Sequence, residues 1–176
     1  MRVLAIDPGT LRMGYGVLDA ESASGGPEAD DYGVVALPAS MPIENRLYQL
    51  HTHILNMIHV FQPDAIAVED PFVGRGERAF AKSALAIGQA QAVVLIGAAS
   101  QGVPVYRYAP ATVKRSVADY GGATKEQVQQ ITASLLGLRD TPESDAADAL
   151  AVGLCCLREM GTDDLASREI TPGKEL

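Results

Sequence analysis

Residues 3–7 read Val-Leu-Ala-Ile-Asp and residues 14–19 read Gly-Tyr-Gly-Val-Leu-Asp, and these two segments decide the fold class. Each is a short apolar run of the kind that forms a buried or half-buried strand. The link between them is short and contains the turn dipeptide Pro8-Gly9, so the two strands are expected to pair antiparallel. The first strand ends on a carboxylate, Asp7, in a position where burial of a charge is costly.

Downstream of this pair, strands and helices alternate. A third strand is predicted at Asp31–Leu37, after a polar, glycine-rich loop at Glu21–Asp30. The later elements are a helix from Ile43 to about Gln62, a strand within Asp64–Asp70, a helix over Ala79–Ser100, a strand over Val103–Tyr108, and three helices beginning at Pro110, Thr124 and Thr141, the last ending near Met160. Strands separated by a helix pair in parallel through right-handed crossovers. The sequence therefore predicts an α/β protein with a five-stranded mixed sheet, its first three strands antiparallel, flanked by helices.

The chain is 176 residues long, and its composition, 47% hydrophobic and 20% charged, is typical of a soluble globular protein with one sizeable core. We predict one domain over residues 1–160 and a polar, flexible tail over residues 161–176. The apolar run at the N-terminus is too short for a signal peptide, and no stretch is long enough for a membrane span, so a cytoplasmic location is expected. The only cysteines, Cys155 and Cys156, are adjacent in an apolar run and are expected to be buried and unpaired.

The net charge of −8 argues against nucleic-acid binding if it is considered alone. The charge is unevenly distributed, however. Between residues 72 and 125 seven basic residues face only two acidic ones; the basic residues are Arg75, Arg78, Lys82, Arg107, Lys114, Arg115 and Lys125. This segment is either a phosphate-binding surface or ordinary scatter of charge, and composition does not decide between the two.

Four carboxylates occupy positions where a carboxylate is costly: Asp7 and Glu69 end apolar strands, and Asp145 and Asp148 lie on an otherwise apolar helix. The i, i+3 spacing of the last two places them on one helical face. Considered singly, each has an ordinary explanation as a turn residue, a surface residue or a helix cap. Together they fit a site for Mg²⁺, which prefers oxygen ligands and, as a pair of ions, promotes phosphodiester hydrolysis.

Five motifs, in order, resemble the RuvC family of crossover (Holliday) junction endodeoxyribonucleases over about residues 1–160. They are Ile6-Asp7-Pro8-Gly9-Thr10 with Gly14-Tyr15-Gly16-Val17, Ala67-Val68-Glu69-Asp70-Pro71-Phe72, the helical segment Ser83 to Ala90, the lysine segments Val113-Lys114 and Lys125 to Val128, and Asp145 to Ala151. The loop over residues 72–80 differs in detail from the family's forms but keeps an aromatic residue and positive charge.

The resemblance implies an RNase H-like fold and a homodimer that resolves four-way junctions in DNA recombination and repair by paired, metal-dependent nicks. It implies that Asp7, Glu69, Asp145 and Asp148 are catalytic and hold two Mg²⁺ ions per subunit, with Mn²⁺ able to substitute. It further implies that Lys114 is catalytic as well as DNA-binding, that Lys125, Arg75 and Arg78 contact DNA, and that Phe72 stacks on a base near the junction centre. Branch-migration proteins of the RuvA and RuvB type are the implied partners.

A dimer is also suggested by the small residues Ala84, Gly88 and Ala92 on the long helix, which permit close approach of a second helix. The alternative is that these residues pack against the protein's own sheet.

Three other functions share parts of this pattern. Asp7-Pro8-Gly9-Thr10-Leu11-Arg12-Met13-Gly14 also fits the opening Asp-x-Gly-x-x-Arg-x-Gly of the YqgF-type RNA-processing nucleases. An ATP-binding protein of the actin and sugar-kinase type would need a second domain, for which the chain is too short. A non-catalytic junction-binding module would not need all four acids.

Overall fold

A computed structural model describes residues 1–21, 25–71, 78–119 and 122–169, with the backbone alone described for residues 78–83 and 162–169. The strands are β1 (Arg2–Asp7), β2 (Arg12–Asp19), β3 (Glu28–Ala36), β4 (Ala65–Glu69) and β5 (Val105–Tyr108). The helices are α1 (Ile43–Phe61), α2 (Arg78–Ser100), α3 (Pro110–Ala118), α4 (Lys125–Leu135) and α5 (Ser144–Glu169).

The strands form one sheet in the order β3-β2-β1-β4-β5. β1 pairs antiparallel with β2, and β2 pairs antiparallel with β3, while β4 runs parallel to both β1 and β5. The predicted five-stranded mixed sheet with three antiparallel strands is therefore confirmed. The parallel pairings follow from the connections, because α1 separates β3 from β4 and α2 separates β4 from β5.

The sheet separates two hydrophobic clusters, one on each face. On β1, Val3 and Ala5 belong to the cluster formed with α3, α4 and α5, and Leu4 and Ile6 belong to the cluster formed with α1 and α2. This division follows from the alternation of side chains along a strand. Since both faces of β1 are covered, its four central residues, 3–6, are all apolar and buried.

Several boundaries differ from the prediction: β2 begins at Arg12 and not at Gly14, β5 begins at Val105 and not at Val103, and α5 begins at Ser144 and not at Thr141. β3 begins at Glu28 and not at Asp31, because residues 28–30 continue the pairing with β2 through an irregularity in register at Val17/Leu18. α5 ends at Glu169 and not near Met160. The helix continues through Gly161 because a glycine inside a helix costs only about 1 kcal/mol. Residues 162–169 also include several good helix formers. The division into a domain and a flexible tail remains a prediction.

Two smaller expectations, for the cysteines and for Thr124, agree with the structure. Cys155 and Cys156 are buried and unpaired. Thr124 caps α4 in a capping box with Gln127, as its position before the helix predicted. Within the described part of the chain, no helix is long and apolar enough to cross a membrane.

Candidate active site

Asp7 and Glu69 lie side by side at one edge of the sheet. Asp7 is the last residue of β1 and Glu69 is the last residue of β4, and the preceding residues, Ile6 and Val68, are partners across the two parallel strands. Ala5 and Ala67, each two residues before one of these acids, belong to the hydrophobic cluster that contains α5. Because side chains alternate along a strand, both carboxylates are directed to the face of the sheet that α5 covers.

Small residues bring α5 unusually close to the sheet. A Cβ atom added at Gly14 of β2 would lie 1.8 Å from the carbonyl oxygen of Asp145, and one added at Gly153 of α5 would lie 2.3 Å from Leu18. A side chain at Gly14 would push the helix away, because it would meet backbone, and one at Gly153 would require Leu18 to move. The glycines therefore place the start of α5, which carries Asp145 and Asp148, next to the end of β1.

Both acids of α5 are bonded to a basic side chain. Asp145 accepts a hydrogen bond from the Arg12 Nε atom at 2.5 Å, and Asp148 lies 2.5 Å from the Lys125 Nζ atom. The two carboxylates are partly exposed, at 27% and 23% of their side-chain areas. The charges of Asp145 and Asp148 are thus balanced by Arg12 and Lys125.

Asp7 and Glu69, in contrast, have no close cationic partner among the ion pairs described. The pKa of Asp7 is raised to about 7, first by burial and then by the charges of Asp148 and Asp145. The pKa of Glu69 is also raised to about 7, first by burial and then by Asp7 and Asp148. Burial likewise raises the pKa of Asp148, although its bond to Lys125 opposes the shift. Such mutual repulsion of neighbouring carboxylates is the condition that a bound cation relieves.

A cleft of about 210 Å³ opens beside these acids. Its lining combines two acids and two lysines with an apolar wall and consists of Glu69, Pro110, Val113, Lys114, Lys125, Val128, Asp148 and Ala151. Lys114 comes from α3 and Lys125 is the first residue of α4, so three helices and one strand contribute to the cleft. The structure thus brings together six of the predicted site residues: Asp7, Glu69, Asp145, Asp148, Lys114 and Lys125.

The side chains of the remaining predicted DNA contacts lie outside the described part of the chain. Phe72 and Arg75 lie outside the described residues, and for Arg78, the first residue of α2, the backbone alone is described. Asp70 directly follows β4. Its side chain accepts hydrogen bonds from Gln91 and from Arg107, at 2.9 and 2.8 Å.

Two features of the site were missed by the sequence interpretation. Arg12 was noted only as part of a rival motif, and its bond to Asp145, 133 residues away in the chain, was not foreseen. The hydrogen bonds of Asp70 with Gln91 and Arg107, which are 21 and 37 positions away in the chain, were also not predicted. The pairing of each basic residue with its acid depends on the tertiary fold and leaves no signal in local spacing.

The family assignment rests on a match that spans most of the chain. The model of the family described as crossover junction endodeoxyribonuclease RuvC matches residues 3–156. The chain belongs to the RuvC family. A crossover junction endodeoxyribonuclease RuvC from Dehalococcoides mccartyi is 45% identical over 156 residues, which cover 88% of this chain and 90% of that protein.

The RuvC of Thermus thermophilus is similar in structure. One structure of that protein has a TM-score of 0.79 and 36% sequence identity, covering 92% of this chain and 98% of that one. Its structure in complex with Holliday junction substrate has a TM-score of 0.81 at the same identity, covering 92% and 97% of the two chains. These similarities confirm the predicted RNase H-like fold and the resemblance to the RuvC family. The RNA-processing and non-catalytic alternatives are not favoured.

Proposed function

We propose that the protein is a structure-selective endodeoxyribonuclease that resolves four-way DNA junctions by paired hydrolysis of phosphodiester bonds. The observation that carries the proposal is the convergence of four carboxylates from β1, β4 and α5, two of which, Glu69 and Asp148, line one cleft with two lysines. Membership of the RuvC family and similarity to a RuvC that was solved with a Holliday junction supply the substrate class. The activity serves DNA recombination and repair.

We infer that Asp7, Glu69, Asp145 and Asp148 hold two Mg²⁺ ions in each subunit, with Mn²⁺ able to substitute. The donor set fits hard divalent cations, because all four donors are carboxylates and two of them are buried with strongly raised pKa values. When bound, such ions would activate the attacking water and stabilise the leaving oxygen.

The acids need some rearrangement to receive an ion. Within the part of the chain that the structure describes, no three His, Cys, Asp or Glu side chains are gathered where one ion could be held. Asp145 and Asp148 are instead bonded to Arg12 and Lys125. Binding of an ion would require these two ion pairs to open, and α5 already holds both residues at the end of the sheet.

We propose that the basic residues around the cleft bind the DNA backbone. Lys114 and Lys125 line the cleft itself, so a phosphate placed at the acids would lie within reach of their ammonium groups. Lys114 has a second proposed role, stabilisation of the negative charge that develops on the phosphate during hydrolysis. Arg75 and Arg78 would contact phosphates further from the cut, and Phe72 would stack on an unpaired base at the junction centre.

The proposed assembly is a homodimer, because paired cuts in a two-fold junction need two matched sites. The proposed contact is an exposed face of α2 that carries Leu85, Ala92 and Ile96. Branch-migration proteins of the RuvA and RuvB type are proposed partners, and a cytoplasmic location is proposed because the chromosomal substrate lies there in a bacterial cell. Residues 1–160 would form the nuclease domain and residues 161–176 an appended tail.

The decisive test is cleavage of a synthetic four-way DNA junction in the presence of Mg²⁺. We expect symmetric nicks in two strands of like polarity, and no comparable cleavage of linear duplex or of a structured RNA. Equal cleavage of the linear duplex would exclude a junction-selective enzyme. Preferential cleavage of the RNA would replace this proposal with an RNA-processing function.

A further inference from the structure

Arg12 forms a direct ion pair with Asp145, the first of the two acids on α5. Its Nε atom donates to Asp145 at 2.5 Å, and its second guanidinium nitrogen donates to Glu143 at 3.1 Å. Neither the proposed catalysis nor the proposed DNA contacts uses this residue. The question is what an arginine does on a carboxylate that is proposed to hold a metal ion.

The backbone around Arg12 fixes its place. A Cβ atom at Gly9 would lie 2.0 Å from the carbonyl oxygen of Arg12, so only glycine permits the tight link between β1 and β2. Gly14, two residues after Arg12, lies directly against the backbone of Asp145. Together these two close approaches hold the start of β2 against the start of α5 and keep Arg12 within reach of Asp145.

The Arg12 contact balances charge and is not needed to position Asp145. Asp145 is held by α5, whose backbone packs against Gly14 and whose apolar residues pack on the sheet. The pair is also open to water, since the Arg12 side chain is 47% exposed and that of Asp145 is 27% exposed. An ion pair of this exposure is weak, and a divalent cation is able to displace it.

We propose that Arg12 is a competing cation: it balances the charge of Asp145 in the metal-free protein, and its displacement sets the affinity of the site for a divalent metal ion. This inference rests on the proposed metal site. It assigns Arg12 a role in metal binding in place of a role in DNA binding or in the fold. Loss of the arginine charge should therefore strengthen metal binding while it destabilises the metal-free protein.

The test compares Mn²⁺ binding, measured by isothermal titration calorimetry without DNA, in wild type and three variants. Arg12→Gln removes the charge, and Arg12→Lys retains it. Arg2→Gln is the matched control, because Arg2 also pairs with two carboxylates, Asp19 and Asp30, but at the opposite end of β1. Thermal melting with EDTA and with saturating Mn²⁺ provides a second measurement.

We expect Arg12→Gln to bind Mn²⁺ about threefold to tenfold more tightly than wild type, since a partly exposed ion pair and a nearby positive charge are both lost. Arg12→Lys and Arg2→Gln should each remain within about twofold of wild type. Arg12→Gln should melt below wild type in EDTA, and saturating Mn²⁺ should narrow that gap.

Equal or weaker Mn²⁺ binding by Arg12→Gln, with wild-type binding intact, would overturn this inference and leave the proposed metal site in place. Tighter binding by both Arg12→Gln and Arg12→Lys would overturn it as well, because the charge would then not be the cause. If wild type binds no Mn²⁺ at millimolar concentration, the proposed metal site itself fails.

Discussion

At the scale of single residues, Asp7 and Glu69 illustrate how a fold maintains an unfavourable charge arrangement. Each follows an apolar strand and is directed by strand alternation into the α5 face, where the other acids lie. A carboxylate in such a place contributes no stability to the metal-free fold. The proposed binding of a cation, which would neutralise the cluster, accounts for its presence.

Glu69→Gln should abolish junction cleavage, lowering the rate by roughly two orders of magnitude or more, because it removes one charged metal ligand. Junction affinity should stay within a few-fold of wild type, since the proposed DNA contacts come from other side chains. Gel-shift and cleavage assays on one four-way junction measure both. Glu44→Gln, at an exposed glutamate of α1, is the control. Cleavage at the wild-type rate by Glu69→Gln would contradict the two-metal assignment.

The raised pKa values also predict a pH dependence of the metal-free protein. Folded Asp7 and Glu69 retain their protons up to about pH 7, whereas in the unfolded chain they lose them near the ordinary carboxyl range. The unfolded state therefore binds fewer protons in this window, so the free energy of unfolding falls as pH rises from about 4 through about 7.

Glu69→Gln should reduce the fall in the free energy of unfolding that accompanies the rise in pH. In EDTA the variant should melt above wild type at about pH 8, and the gap should at least halve at about pH 5, with each kcal/mol worth about 2–4 °C in a chain of this size. Differential scanning calorimetry at the two pH values measures the gap. A gap that is constant with pH would mean that Glu69 does not carry the raised pKa.

At the scale of elements, α2 has two distinct faces. Ala90, Val94 and Ala98 are buried against the sheet and α1. The outward face keeps Leu85 and Ile96 exposed at 66% and 61%, and a Cβ atom at Gly88 would meet nothing within 4 Å. The alternative that the small residues of α2 pack on their own sheet therefore does not hold for Gly88 and the exposed Ala92.

The outward face of α2 is the predicted dimer contact. The double variant Leu85→Glu/Ile96→Glu should shift wild-type dimer toward monomer at micromolar concentration while its melting temperature changes little, because both side chains are already exposed within one subunit. Light scattering gives the mass. Val60→Glu, at an apolar α1 residue that is 58% exposed, is the matched control and should stay dimeric. A wild-type protein that is monomeric with and without junction would exclude the dimer.

At the scale of the whole molecule, a chain of net charge −8 is proposed to bind a polyanion. Binding is expected because part of the negative charge lies away from the cleft, and the four acids at the cleft are proposed to be neutralised by Mg²⁺. Acidic residues cluster on β3 and at the end of β2, including Asp19, Glu28, Asp30 and Asp31, whereas Lys114 and Lys125 lie at the cleft. Short screening lengths at physiological salt make this local charge more important than the total.

Junction affinity should fall as salt rises, because each phosphate contact releases condensed counterions. Lys114→Ala should reduce the magnitude of the slope of log affinity against log salt by about 1, the value for one lost phosphate contact. Arg139→Ala, at an exposed arginine outside the cleft, should leave the slope unchanged. Affinity that is flat between about 50 and 200 mM salt would contradict backbone binding. Unchanged affinity with lower turnover in Lys114→Ala would favour the transition-state role instead.

The sequence by itself determined the order of strands and helices and the mixed sheet, and it singled out the four acids that are proposed as metal ligands. These features are local or nearly so: strand alternation, turn residues and caps such as Thr124 are encoded within a few positions. The start of β3 and the end of α5 were misjudged because strand pairing and continued helix propensity override a single polar or glycine signal.

Only the tertiary structure decided which charges meet. The bond of Arg12 to Asp145 spans 133 positions in the chain, and it exists because Gly9 and Gly14 allow backbone contacts that no side chain would permit. The same holds for Lys125 and Asp148, which come from different helices over one sheet edge. Charge interactions depend on distance in space and on burial, and both are set by packing, so spacing along the chain carries no record of them.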